Sequence, residues 1–249
     1  MPNQPPPFRD VVKAPVNLLA FPDDQYIKEP RKKKQIVLHH TASGRGVDGD
    51  YRTWLSNKER IATCVIIEDS GLIAQLFPSA FWGYHLGVTN DQVKKALGRD
   101  VPADASKLLN SDSLAIEIDS WGYLKKIGNE YRAYPNKFGT EGPKVVVPKE
   151  QVQLYPDGFK GYTAFQKYTK NQIETTRQLL IWWSLTYGIP LEYKKDIWDI
   201  TPRAMGGEPG VFTHNSYRKD KSDIHPQPDM IAMLKTLDTQ WRSGNLLNK

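Results

Sequence analysis

One short apolar run, residues 36–38, stands between a cationic stretch, residues 31–34, and small polar residues. β-branched and apolar residues flanked in this way predict a buried strand that ends at the surface. The strand would end at His39 and His40, and because side chains alternate across a strand, the two histidines should point to opposite faces. A histidine at such a strand end is well placed to ligate a metal, since the strand fixes its ring. A half-buried histidine pair bonded to backbone is the alternative.

Further strands and helices alternate along the chain. Residues 63–67 and 72–77 predict a hairpin about the turn at 68–71, and residues 113–119 alternate as a strand with Glu117 on its more polar face. Helices are predicted at 48–60, from the capping box at Thr169 to about Tyr187, and at 230–237. Interleaved strands and helices that include a hairpin predict an α/β fold with a mixed central β-sheet flanked by helices.

The chain divides into two predicted parts. Residues 1–34 contain many prolines and little periodicity, which favours an extended N-terminal arm laid over the domain, with a poor helix at best. Residues 35–249 would form a single domain. Within it, an aromatic and basic insertion spans about residues 123–168, with a possible hairpin about Gly128 and Asn129. The pattern assigns this insertion no function.

Composition restricts the function classes. The 249 residues are 39% hydrophobic and 25% charged, with no apolar run near the roughly 20 residues that span a bilayer. A single cysteine, Cys64, excludes an internal disulfide and a multi-cysteine zinc site. The N-terminal residues lack a charged lead before an apolar segment, so we expect cytoplasmic synthesis without a signal peptide. The net charge of +6 weakly favours a polyanionic surface, but no nucleic-acid motif accompanies it.

Histidines supply the candidate chemistry. His39, His85 and His214 lie beside predicted strands or in loops. A hydrolytic zinc ion takes three protein ligands and keeps one position for water, and neutral imidazoles with a carboxylate suit it. His39 and His214 are plausible ligands. The third could be Asp223 or, two residues away, His225.

Several segments in a fixed order carry a family resemblance. The first reads Ile-Val-Leu-His-His-Thr-Ala at residues 36–42, and the second is the predicted hairpin at 65–78. The others are residues 82–87 (Trp-Gly-Tyr-His-Leu-Gly), 110–118 (Asn-Ser-Asp-Ser-Leu-Ala-Ile-Glu-Ile), 213–214 (Thr-His) and 221–223 (Lys-Ser-Asp). Together they resemble the type 2 N-acetylmuramoyl-L-alanine amidases, a family that includes phage endolysins and animal peptidoglycan recognition proteins. The resemblance covers about residues 35–240.

The resemblance implies a zinc-dependent hydrolase that cleaves the amide bond between N-acetylmuramic acid and L-alanine in peptidoglycan. It implies that His39, His214 and Asp223 bind Zn²⁺. It makes Glu117 and Lys221 the catalytic pair. Glu117 would move the proton of the attacking water, and Lys221 would stabilise the oxyanion.

Two further residues are assigned to the substrate. His85 would line the substrate groove and Trp82 would offer an apolar face to sugar or peptide, with a packing role as the alternative for both. His40 is expected to be structural. The chain departs from the family pattern at Thr63, where some members place a catalytic tyrosine, and at Ser70, where the turn aspartate is common; Cys64 also replaces a common histidine. These departures bear on substrate preference.

The expected setting is a monomeric phage-type endolysin that acts on the cell wall after holin-type release, with no nucleic-acid partner and no stable membrane insertion. A bacterial muropeptide-recycling amidase is the alternative setting. A non-catalytic peptidoglycan-binding module of the same fold is a second hypothesis, which the presence of both Asp223 and Lys221 disfavours. A basic protein of nucleic-acid or membrane surfaces is the third.

Overall fold

The computed structural model describes residues 5–44, 46–57, 59–133 and 145–247. A mixed six-stranded sheet forms the centre of this part of the chain, and the α/β prediction is confirmed. The strands are β1 (Val16–Leu18), β2 (Gln35–His40), β3 (Val65–Ile67), β4 (Ile73–Gln75), β5 (Ser113–Ile118), β6 (Leu124–Ile127), β7 (Glu130–Ala133), β8 (Val145–Val147), β9 (Val152–Phe159), β10 (Tyr162–Gln166) and β11 (Gly210–Thr213).

Helices cover the sheet and connect its strands. They are α1 (Phe8–Val11), α2 (Gly46–Leu55), α3 (Asn90–Leu97), α4 (Ala105–Ser111), α5 (Lys170–Tyr187), α6 (Pro202–Met205) and α7 (Pro228–Arg242), with 3-10 turns at Lys149–Gln151, Lys195–Trp198 and His214–Ser216. Within the described ranges, no helix is both long and apolar enough to cross a membrane.

The central sheet has the order β1-β4-β3-β5-β2-β11. β3 and β4 form the antiparallel hairpin that the sequence predicts, and the other neighbours are parallel. Every residue of β2 and β5 is buried, as expected of parallel strands covered on both faces. The carboxyl ends of β2, β5 and β11 therefore meet at one edge of the sheet.

The N-terminal residues contain more regular structure than the pattern predicts for the arm. They fold into the short helix α1 and the strand β1, which pairs in parallel with β4 at the edge of the sheet. Val12 is fully buried in the main core. A three-residue strand between prolines is too short to show periodicity, so the sequence pattern did not reveal it.

The best predicted helix is α5. Its capping box is present: the Thr169 hydroxyl accepts from the backbone N–H of Gln172, and the Gln172 side chain accepts from the N–H of Thr169. Gly188 ends the helix in the left-handed conformation, at φ 70°, as the sequence predicts. The helix packs on β3 and on α7.

The predicted insertion contains two small sheets. β6, β7 and β8 form one, and the turn at Gly128 joins β6 to β7 as expected. β9 and β10 form an antiparallel pair. The middle of the insertion, residues 134–144, lies outside the described residues. Helix α2 is shorter than the predicted helix at 48–60 and ends at Leu55.

Candidate active site

Three neighbouring parallel strands deliver the candidate residues to one edge of the sheet. His39 and Glu117 are direct partners in the β2–β5 register, so their side chains lie on the same face. Thr213 pairs with Leu38, which places His214 at the same level, immediately after β11. Ligand sites of α/β sheets form at the carboxyl ends of such strands.

His39, His214 and Asp223 form a compact group of buried ligand atoms that all lie within 4.8 Å of one another. The Nδ1 atoms of His39 and His214 are 3.0 Å apart. The Oδ2 atom of Asp223 lies 2.8 Å from Nδ1 of His214 and 3.3 Å from Nδ1 of His39. The three residues of the predicted ligand set therefore converge on one point.

The outward contacts of the two rings fix their tautomers. Nε2 of His214 lies 2.9 Å from the carbonyl oxygen of Leu86, which can only accept, so this nitrogen carries the proton. Nδ1 of His214 then holds a lone pair toward the group. Burial lowers the pKa of His39 to about 4, so this ring is neutral near pH 7.

A chain of hydrogen bonds orients His39 in the same way. Ser113 donates to the carbonyl of Leu109 (2.7 Å) and accepts from Nε2–H of His85 (2.7 Å). Nδ1 of His85 is then an acceptor, and Nε2–H of His39 donates to it at 3.0 Å. Nδ1 of His39 is thereby left unprotonated and faces His214. Partners of this kind fix the ring orientation of metal-ligating histidines.

The donor set fits a divalent metal ion. Two imidazole lone pairs and an ionised carboxylate face one another at hydrogen-bond distance, and none of the three supplies a proton. Such a group is stable with a cation among its atoms, and two histidine nitrogens with one carboxylate oxygen suit zinc.

His40 and His225 lie outside this group. Nδ1 of His40 contacts the Tyr168 hydroxyl at 2.8 Å, behind the sheet edge. Both ring nitrogens of His225 have other partners: the Tyr155 hydroxyl (2.7 Å) and the carbonyl of Gln166 (2.9 Å). Of the two candidates for the third ligand, Asp223 is therefore the one that joins the histidines.

Glu117 faces the same cavity as the ligand group. Its side chain is 9% exposed, and no described residue hydrogen-bonds its buried Oε2 atom. Burial, followed by the charges of Asp223 and Asp50, raises its pKa well above the ordinary value. A bound cation would lower it again. An unpartnered carboxyl beside such a donor set is suited to move a proton.

A groove of two adjoining cavities, about 290 and 400 Å³, runs past the ligand group. Half-buried Lys221 lines both, together with Tyr84 and Ile61, which are 38% and 39% exposed. Trp54 borders the first cavity and Arg218 the second. The groove thus combines apolar walls with cationic side chains.

A comparison of the sequence with protein families identifies the family of this chain. A family described as N-acetylmuramoyl-L-alanine amidase matches residues 29–228. This chain belongs to the N-acetylmuramoyl-L-alanine amidase family. It is therefore an amidase that acts on peptidoglycan.

Other comparisons are more distant. Among solved structures, PlyL is 13% identical, with 90% of this chain and 96% of PlyL covered and a TM-score of 0.46. The endolysin LysCS of Clostridium intestinale is 12% identical (88% and 95% covered, TM-score 0.42). The Staphylococcus aureus hydrolase AmiA, in complex with its ligand, is 13% identical (98% and 96% covered, TM-score 0.45). No curated protein sequence matches the amidase. The family assignment rests on the sequence match alone.

Of the two predicted substrate contacts, His85 lies at the groove of the amidase and Trp82 does not. His85 lines both cavities and also bonds to His39, a contact that the sequence analysis omitted. Trp82 is 2% exposed and packs edge-on against Tyr84 at 5.3 Å, so its burial is inconsistent with the predicted contact to substrate. The packing alternative fits Trp82, whereas Tyr84, like Trp54, is an aromatic side chain that lines the groove.

Proposed function

We propose that the amidase uses a zinc ion to hydrolyse the amide bond between N-acetylmuramic acid and L-alanine. The observation that carries this proposal is the convergence of three unprotonated donors, from His39, His214 and Asp223, beside the unpartnered carboxyl of Glu117. A zinc ion held by these donors would supply Lewis acidity to the attacking water and the scissile carbonyl.

The proton transfers are proposed for Glu117. Its carboxylate takes a proton from the attacking water as the water oxygen bonds to the lactyl carbonyl carbon. It then delivers that proton to the nitrogen of L-alanine, and the carbon–nitrogen bond breaks. Enclosure in a groove strengthens the attraction between Glu117 and the charges that develop there. The products are a free carboxyl group on the sugar and a free amino group on the peptide.

Lys221 is proposed to stabilise the developing negative charge on the carbonyl oxygen. It lies two residues before the metal ligand Asp223 and lines both cavities of the groove. A preorganised cation in a partly enclosed groove acts more strongly than in water. Tyr84 and Ile61 supply apolar surface on which a sugar ring or an alanine methyl group can pack.

Digestion of purified peptidoglycan sacculi tests the reaction. We expect new L-alanine amino groups without new reducing sugar ends, loss of activity with a chelator, and recovery with added zinc. New reducing ends would identify a glycosidase and contradict the proposal. Cosedimentation with sacculi without any new ends would indicate a binding module instead.

We further propose the setting of a monomeric, phage-type endolysin that reaches the wall through a holin-type pore. The net charge of +6 supports attraction to an anionic cell wall. Coexpression in a bacterial host tests this setting: we expect lysis only when a holin is produced with the amidase. Lysis without a holin would contradict holin-dependent release, and no lysis with a holin would favour the muropeptide-recycling alternative.

A further inference from the structure

The backbone next to the third metal ligand is strained. Ile224, which follows Asp223, has φ 57°, in the left-handed region. A β-branched residue rarely adopts this conformation, because its side chain crowds the backbone there. Such a residue stays in this state only where its surroundings hold it. The orientation of Asp223 therefore depends on what holds Ile224.

Two buried side chains near the ends of central strands, His40 of β2 and Asn215 just after β11, hydrogen-bond the backbone of Asp223 and Ile224. The N–H of Ile224 donates to Nδ1 of His40 at 3.1 Å. The side-chain amide of Asn215 donates to the carbonyls of Asp223 and Ile224, both at 2.8 Å. Since Asn215 follows His214 directly, these bonds connect two metal ligands through one side chain.

A second set of contacts comes from the predicted insertion, which the proposed mechanism leaves without a role. The Tyr168 hydroxyl donates to Nδ1 of His40 (2.8 Å) and accepts from the backbone N–H of His225 (3.2 Å). Nε2–H of His225 donates to the carbonyl of Gln166 at the end of β10, and the Tyr155 hydroxyl of β9 donates to Nδ1. The rings of Tyr168 and His225 stack at 4.6 Å.

Gln227 completes the attachment. Its side-chain oxygen accepts from the N–H of Tyr168 at 2.7 Å, and its amide donates to the carbonyl of Tyr168 at 3.1 Å. At the other end of the insertion, Gly122 has φ 71°, and a β-carbon there would lie 2.6 Å from Nε2 of His40. The chain can therefore pass His40 only with glycine at this position.

We propose that the β9–β10 strand pair and Tyr168 form a brace that holds Ile224 in its left-handed conformation and so positions Asp223 on the metal. Tyr155, Tyr168 and His225 are its positioning residues, and none of them belongs to the ligand group or lines the two cavities of the groove. The inference rests on the proposed metal site. The insertion would then support metal binding rather than substrate recognition.

The test is the zinc affinity of apoprotein variants, measured by competition with a chromophoric chelator. Tyr168→Phe should bind zinc about 10–100-fold more weakly than wild type, the range for residues that support metal ligands. The visible absorption of the cobalt(II)-loaded variant should also change, because it reports coordination geometry. The matched control is Tyr162→Phe on β10, since Tyr162 stacks on Tyr123 at 3.9 Å, away from the metal-binding loop.

A second substitution separates positioning from general loss of structure. Glycine adopts the left-handed conformation without strain, but Ile224→Gly also removes a fully buried side chain. In the Tyr168→Phe background it should therefore restore most of the zinc affinity where circular dichroism shows that the double variant is folded. If Tyr168→Phe fails to fold by circular dichroism, Tyr155→Phe replaces it, since it removes one hydroxyl from a half-buried site. It should weaken zinc binding at least threefold.

The outcomes discriminate between the two proposals. Zinc affinity in the hydroxyl variants equal to that of Tyr162→Phe would overturn the brace, as would a loss that Ile224→Gly does not restore in a folded double variant. Wild-type apoprotein that binds no zinc would instead contradict the proposed function, before any variant is compared.

Discussion

Nδ1 of His85 is the only acceptor among the described residues for Nε2–H of His39, and the two nitrogen atoms are 3.0 Å apart. Replacing His85 with alanine removes this acceptor. The ring would lose the contact that fixes its tautomer and would leave a buried N–H without a partner. An unsatisfied buried donor costs about 1–3 kcal/mol. Because 1.4 kcal/mol corresponds to a factor of ten, zinc affinity should fall by about 10–100-fold, in agreement with the effect of removing partners of metal ligands.

The assay is a zinc titration of the apoprotein in competition with a chelator, accompanied by kcat and KM on soluble muropeptide. His85→Asn keeps an acceptor oxygen near the position of Nδ1, so its zinc affinity should stay within about fivefold of wild type. Tyr84→Ala is the control for the groove wall, and we expect a raised KM with unchanged zinc affinity. If His85→Ala raised KM but bound zinc as wild type does, His85 would be a substrate contact alone and the hydrogen-bond chain would have no role.

Three further predictions follow from other contacts. Asp223→Ala should lose at least 100-fold in zinc affinity, because it removes one of three ligands; retention of one tightly bound zinc per chain, measured by metal analysis, would contradict the ligand set. Burial, with the charges of Asp50 and Asp69, raises the pKa of Asp119 from 3.8 to about 7, so its ionisation destabilises the fold as pH rises between these values. Asp119→Asn should therefore raise the free energy of unfolding by about 2–4 kcal/mol at pH 8 and hardly at all at pH 4, in urea titrations with the metal chelated; equal effects at both pH values would refute this. Thr169→Ala removes the cap of α5 and should lower stability by about 1 kcal/mol in the same titrations, and an unchanged midpoint would show that the cap contributes nothing.

Much of the site follows from local sequence patterns. The apolar run before His39 predicts a strand whose end carries a ligand, and the strict alternation of residues 113–119 places Glu117 on one face. The direct pairing of His39 with Glu117 does not follow, because the order and register of parallel strands depend on connections far along the chain. The family resemblance implied a role for each of the two residues, but it did not imply their pairing.

The choice between Asp223 and His225 illustrates a second limit. Both side chains can bind zinc, and they are two residues apart, so spacing alone leaves both open. The left-handed backbone at Ile224 separates them, and His225 stacks on Tyr168 instead of reaching His214. No local pattern predicts a strained isoleucine, since the long-range contacts of the fold impose the strain.

The aromatic loop at residues 82–85 illustrates a third limit. Residues 82–85 read Trp-Gly-Tyr-His, and the sequence analysis predicts that Trp82 contacts the substrate. Trp82 is buried and Tyr84 is 38% exposed, a difference that strand alternation does not predict, because residues two positions apart point to the same side. The contact of His85 with Ser113, 28 residues away, could not be deduced from either segment alone.

We propose that His39, His214 and Asp223 hold a metal ion and that Glu117 carries the proton from the attacking water to the leaving nitrogen. The most direct test of this proposal compares wild type with Glu117→Gln, which keeps the size of the side chain and removes its ionisable carboxyl group. Bound zinc and the rate of release of L-alanine amino groups from sacculi are measured on the same samples. We expect one zinc per chain in both proteins and a rate about 10²–10⁴-fold lower in the variant. A variant that retains the wild-type rate with its zinc in place would contradict the proposal.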